Sequence, residues 1–174
     1  MSKFLFLSEI FYKISFFLIV LSVGSINNAQ SQVSDSSELF RELVEADSLL
    51  FEEGFNKCVF SVVKDIIHAD LEFYHDISGT ENRAEFLQGF KRNICSSPDK
   101  KPIRKLVPES LEVFSLKNNG EIYGAIQKGE HRFYIKEPHK NLYYTTSAKF
   151  TNVWILENNM WKLKTVLSYA HGKE

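Results

Sequence analysis

From Ser110 to His171 apolar and polar residues alternate at a period of two, and two turn sequences interrupt the alternation. Ser110–Leu116, Ile122–Ile135, Tyr143–Leu156 and Trp161–His171 read as strands. Lys117–Gly120 (KNNG) is a hairpin turn, because Asn-Gly accepts positive φ with little strain. Glu157–Met160 (ENNM) is a second turn, and a bulge is expected at Gly129 within the long second strand. Consecutive strands joined by turns make an antiparallel meander, which needs one face covered.

The residues upstream supply the cover. Phe40, Leu43, Val44, Asp47, Leu50, Phe51, Gly54 and Phe55 recur at steps of three and four, the stripe of an amphipathic helix of about five turns. Asp47 interrupts that stripe, either to brace a neighbouring element or to face a pocket. A short second helix is expected over Val59–Ile67. Leu71–Asp76 (LEFYHD) alternates as a strand and Ile77–Thr80 turns the chain. Asn82–Asn93 reads as a third helix with Phe86, Leu87, Phe90 and Ile94 on one side. Ser96–Pro102 is read as loop, and the basic run Lys100, Lys101, Arg104 and Lys105 as a solvated connection rather than an anion site. Helices first and strands last define an α+β domain: a cone-shaped, curved antiparallel sheet backed by three N-terminal helices.

With 174 residues, one domain is expected, and 44% hydrophobic residues with 15 Phe suffice for a single core. A net charge of -1 offers no clustered basic footprint for nucleic acid. Lys3 and Lys13 precede an apolar run from Ile14 to Gly24, followed by small residues, the pattern of a secretory signal peptide over residues 1–29 with cleavage after Ser25 or Ala29. The alternative is a retained anchor helix, for which the run is shorter than the roughly 20 residues a span requires. The chain is therefore expected to be exported, periplasmic or secreted, and to meet a membrane only through that signal. Residues 30–37 read as a flexible polar leader and 38–171 as the domain. Export permits a Cys58–Cys95 disulfide; two separate buried thiols are the alternative.

The chain resembles the nuclear transport factor 2-like superfamily, in particular its SnoaL-like and uncharacterised branch. The likeness rests on Leu71–Asp76, Tyr123–Ile126 continuing to Gly129–Tyr134, Ala148–Trp154 (AKFTNVW), Trp161–Lys164 and Ser168–His171, and covers about Glu38 to His171. It implies a cystatin-like cone with a mouth. It also implies that members differ widely in function, including isomerases, cyclases, dehydratases, adaptors and binding modules. Asn158-Asn159 stands where related sequences often carry Asp-Gly. Ala170 stands where the pattern tends to place an acid, which speaks against a carboxylate beside His171.

Three histidines on expected strands share a face with apolar residues: His75 with Leu71 and Phe73, His131 with Phe133 and Ile135, and His171 with Trp161, Leu163, Leu167 and Tyr169. They could converge near the mouth of the cone. Three readings are open: acid–base work by His75 and His171 with Asp76 as orienting carboxylate, a three-histidine metal site, or hydrogen-bonded wall residues. No local metal or cofactor motif is present, so neither is assigned. His68 and His139 fall in connections and look solvated. Tyr74, Phe90, Tyr123, His131, Tyr134, Trp154 and Tyr169 are the candidate ligand-binding residues. The expected function is binding of a small, largely apolar molecule. The alternatives are a lyase or isomerase using His75, Asp76 and His171, and a homodimeric interaction module using the open sheet face around Tyr143–Thr151.

Overall fold

A computed structural model describes residues 31–97 and 99–173. The expected signal peptide lies outside the described residues, and the body considered below is residues 32–174. Its first helix, α1 (Glu38–Ser48), starts at Ser37, whose hydroxyl accepts from Phe40 N–H at 3.1 Å, and continues as a π-helical segment, Leu49–Asn56. Then come α2 (Phe60–Ile66), β1 (Ile67–His75), β2 (Gly79–Asn82) and α3 (Arg83–Gly89), the last again running on as a π-helical segment, Phe90–Ile94. α3 opens with a reciprocal capping box between Asn82 and Glu85. The rest is β3 (Lys101–Leu106), a short 3-10 turn (Pro108–Ser110), β4 (Glu112–Asn118), β5 (Glu121–Lys136), β6 (Tyr143–Glu157) and β7 (Met160–Gly172).

Among the described residues the sheet has seven strands in the order β2-β1-β7-β6-β5-β3, with β4 also on β5. The expected meander is β4 to β7, and those pairs are antiparallel. The β1–β7 pair is parallel, so the sheet is mixed. The chain returns to β1's neighbour only after two further helical segments and the meander, a crossover that no local alternation records. β5 carries β4 beside Glu121–Lys128 and β3 beside His131–Lys136. Ser110 closes the seam between them, its Oγ accepting from Glu130 N–H at 2.8 Å while Val107 N–H donates to Glu130 O at 3.0 Å.

The bulge expected at Gly129 is absent. Gly129 pairs in register with Phe150, and a Cβ there would stand 3.1 Å from the Phe150 ring, so the glycine serves close packing. The irregularities that bend the sheet fall at Phe133/Tyr134, Val153/Trp154 and Ser147/Lys149 instead.

The stripe of Leu39, Leu43 and Ala46 on α1, continued by Leu50 in the π-helical segment, shares one core with Val113, Ala125, Trp154 and Leu163. Gln127, fully buried, pins helix to sheet: its Nε2 donates to Leu43 O at 3.0 Å, and its Oε1 accepts from Trp154 Nε1 at 2.9 Å. Each buried amide atom thus has a partner, the condition for a polar side chain in such a core.

Two expectations about connections need correction. The stretch read as loop and solvated basic run contains β3, and Arg104 is 1% exposed. Its guanidinium forms a bidentate pair with Asp47, at 2.6 and 2.9 Å. Asp47 therefore braces a neighbouring element, and the cation it requires comes from a segment whose charge density hid its strand character. The leader is also docked: Val33 N–H donates to Val113 O at 2.8 Å, and Val33 packs against the core.

Candidate functional site

The curved sheet and the two π-helical segments enclose a cavity of about 400 Å³. Leu50, Phe51 and Phe55 form one wall, four residues of helix bringing both phenyl rings to the same side. Phe86, Phe90 and Ile94 form a second. The sheet contributes Phe73, Phe133, Phe150, Leu163 and Val166, with His75, His131, Asn152, Ser168 and His171 as polar interruptions. The Cys58–Cys95 disulfide joins the ends of the two helical walls.

Of the proposed lining residues, Phe90 and His131 face the cavity and the others do not. Tyr74, Tyr123 and Tyr169 are 39–47% exposed, because their strand positions place them on the outer face. Tyr134 follows the irregularity at Phe133 and packs against Tyr144 outside the cavity. Trp154 is buried beneath the cavity in the core, its indole N–H held by Gln127. His68 is not solvated as read: its side chain is 11% exposed and Nε2 lies 3.0 Å from Glu157.

The parity assumed for β7 fails for a physical reason. Leu163, Val166, Ser168 and His171 face inward, which strict alternation forbids. Lys164 is the extra residue opposite Val153/Trp154, and a second surplus lies between Tyr169, paired with Lys149, and Gly172, paired with Ser147. Ala170 sits in that second bulge with φ 57°, a left-handed conformation unusual for alanine. The turn it makes swings His171 into the cavity.

Asp76, at the end of β1, fixes His171 there. Its Oδ2 accepts from the His171 backbone N–H at 3.1 Å and its Oδ1 meets His171 Nδ1 at 2.6 Å. The carboxylate missing at position 170 thus arrives from the neighbouring parallel strand. A carboxylate at Nδ1 selects the neutral tautomer with the proton on that nitrogen, which leaves Nε2 as the acceptor, 3.5 Å from Ser168 Oγ. Burial opposes ionisation of Asp76. The hydrogen bonds from His171 outweigh it and hold the carboxyl below its usual range.

His75 stacks on His171 with centroids 4.2 Å apart. Its Nδ1 accepts from Ile77 N–H and Ser78 N–H, at 3.1 and 3.3 Å, so in the neutral ring Nε2 carries the proton. Burial first, then the neighbouring His171 charge, push its pKa down, while Asp76 pulls the other way. The result is a hydrogen-bond acceptor on His171 beside a donor on His75.

His131 does not join this pair. Phe133 lies between, its centroid 4.6 Å from His131 and 6.5 Å from His171. The three-histidine set expected from sequence is therefore divided. His75, Asp76 and His171 each offer a ligand atom within 4.8 Å of the others. However, His75 Nδ1 and both Asp76 oxygens are already engaged in hydrogen bonds, and the two imidazole rings are stacked at 23°.

This helix-backed, curved α+β sheet around a cavity is the nuclear transport factor 2-like, or cystatin-like, fold. Solved structures with the same fold include a nuclear transport factor 2-like superfamily protein from Salmonella enterica, 15% identical, with TM-score 0.58 over 76% of this chain and 91% of that one. ActVI-ORFA from Streptomyces coelicolor is 12% identical, with TM-score 0.62 over 76% of this chain and 98% of that one. A protein of unknown function with a cystatin-like fold from Nostoc punctiforme is 16% identical, with TM-score 0.55 over 76% and 91%. No family model and no curated protein sequence matches the chain. These identities carry the fold and nothing finer.

Proposed function

We propose that the chain is an exported domain that binds a small, largely apolar molecule in its cavity. The observation behind this reading is the wall itself: phenyl rings from two helices and the sheet surround a space of about 400 Å³, interrupted by a few oriented polar groups. The disulfide supports an oxidising compartment. Native mass spectrometry of purified protein is expected to show a retained small molecule, or uptake of an added apolar naphthalene. A protein that carries neither sinks the reading. For export, N-terminal sequencing of protein recovered outside the cytoplasm should start within residues 26–30.

The Asp76–His171 pair favours a second reading, a lyase- or isomerase-type reaction at the same cavity. His171 Nε2 would take a proton from an acidic C–H, and the electron pair left behind would become an enolate whose oxygen accepts from His75 Nε2–H. Return of the proton to another position completes an isomerisation. Deuterium uptake by a panel of apolar mono- and diketones, followed by NMR in heavy water, tests this without the natural substrate. Exchange in wild type that disappears in His171→Ala supports the reading. Equal exchange in both counts against it.

A further inference from the structure

Among the described residues that line the cavity, Glu81 is the one carboxylate, and the lining holds no lysine or arginine. It stands on β2 opposite Phe73 of β1, and directly opposed residues of an antiparallel pair project from the same face. The side chain therefore enters the cavity beside that phenyl ring and reaches the helical wall. Both carboxylate oxygens lie 3.7 Å from the point a Cβ on Gly89 would occupy, and Asn93 Nδ2 lies 3.8 Å from the same point. Asn93 is exposed and Glu81 partly so, which places both where the cavity meets solvent and a ligand reaches them.

Asp47 and Asp76 are each held by two hydrogen bonds; among the described residues nothing donates to the Glu81 carboxylate. Its surroundings are phenyl rings instead. Phe86 lies 5.3 Å from Phe73 between centroids, and Phe90 lies 6.0 Å from Phe86. A carboxylate without a partner, bordered by aromatic faces, has the chemistry that holds an ammonium: the oxygens take its N–H groups and the ring faces attract its charge. Other head groups fit worse. An anion would meet the Glu81 charge, and Lys101, whose Nζ lies 5.1 Å from the Phe55 ring centroid, is turned to the carbonyls of Phe55 and Pro102. A neutral hydroxyl would donate to Glu81 but leave its charge uncompensated beside an apolar wall.

We propose that Glu81 is the recognition point for a cationic amine on the cavity's otherwise apolar ligand. The inference rests on the binding reading above and adds the ligand's class: a compact apolar body carrying one primary or secondary ammonium. The body lies among the phenyl rings. The ammonium stays at the mouth, where it keeps part of its water and escapes the full cost of burying a charge.

The test compares three probes of nearly one shape on the folded, disulfide-bonded protein. They are naphthylmethylamine, naphthylmethanol and naphthoate. Calorimetry at low salt and neutral pH should give the amine roughly tenfold tighter binding than the alcohol, the size of one charge-assisted hydrogen bond, with naphthoate weakest. Added salt should shrink the amine's advantage, because water reaches the pair. In Glu81→Gln the amine and the alcohol should bind alike, while the alcohol binds as it does to wild type, which also shows that the variant is folded. Amine and alcohol binding wild type equally, or naphthoate binding tightest, overturns the inference while the apolar cavity stands. An amine preference that survives in Glu81→Gln overturns it too, and its loss in Asp76→Asn would assign the charge to the histidine end. If none of the probes binds, the binding reading falls and this inference falls with it.

Discussion

At one end of the cavity His131 lies against Arg104, whose guanidinium is closed by Asp47 with side chains 2% and 5% exposed. At the other, His171 leans on Asp76, a carboxylate one-third exposed, through a backbone bulge. Both are imidazoles held by a charged group, but the burial differs and so does the chemistry. The sealed end fixes one tautomer, because Arg104 Nε–H donates to His131 Nδ1. At the half-open end Asp76 binds His171 through Nδ1 and the backbone N–H and stays one-third exposed to water. Closed and open polar groups should respond in opposite ways to substitution, and that contrast can be pushed until it fails.

The largest effect is expected at the sealed end. Asp47→Ala leaves the Arg104 guanidinium buried without its partner, which should lower stability by about 3–5 kcal/mol in urea unfolding. Replacing both, as Asp47→Leu with Arg104→Met, should recover most of that loss, because the desolvation of both charges disappears with them. Asp76→Ala should shift the unfolding midpoint far less, since water already reaches that carboxylate. Comparable losses for Asp47→Ala and Asp76→Ala would erase the distinction.

The disulfide ranks next. It closes a sequence separation of 37 residues between the ends of the helical walls. The loop-entropy estimate for that span is roughly 3–4 kcal/mol, lost in a Cys58→Ser, Cys95→Ser double variant. Because the bridge joins walls that carry Phe55 and Phe90, the same variant should also bind the naphthalene probes more weakly.

The third measurement is stability against pH. Unfolded, His131 protonates near its ordinary value of 6.5; folded, only near 3. As pH falls below 6.5 the unfolded chain binds a proton the native state refuses. The His131 contribution to stability is thus complete above that value and declines by about 1.4 kcal/mol per pH unit on the way to 3. His75, also lowered, adds a slope of the same sign. His131→Phe should flatten the acid limb measurably; an unchanged limb would show that the sealed end is not sealed.

The residues explain which of these features the sequence could disclose. The α1 stripe, the Asn-Gly hairpin and the period-two strands announce themselves because each is a local pattern, and together they are enough for the α+β cone. Asp47 in an apolar stripe announced a partner without naming it. Arg104 was concealed inside KKPIRKL, where charge outweighs the alternation, and its burial depends on a helix nearly sixty residues upstream. The tyrosines failed for other reasons. Tyr74 and Tyr134 each stand one residue from His75 and Phe133, on the opposite parity. For Tyr169 a parity argument holds only until a bulge, and β7 contains two irregularities that a sequence of polar and apolar letters does not mark. Asp76 reaches His171 because β1 and β7 run parallel, a relation that exists only in the assembled sheet.

The smallest effect belongs to the open end and concerns Ala170. Its φ of 57° lies in the left-handed region, where a Cβ is unfavourable by about 1–2 kcal/mol and glycine is not penalised. Ala170→Gly should therefore stabilise the native state, less the entropy a glycine adds to the unfolded chain, a net gain of at most about 1 kcal/mol. The same change should leave His171 in place, because Asp76 still holds both its backbone N–H and its ring. Ala170→Val should do the reverse, since a β-branched residue resists this conformation more strongly. If straightening the bulge is the easier response, His171 turns outward and any proton exchange dependent on it is lost. Stabilisation by glycine with exchange retained, and loss of both with valine, would show that strain at one alanine aims the histidine at the cavity. Equal behaviour of the two variants would place the bulge under the control of the sheet register instead.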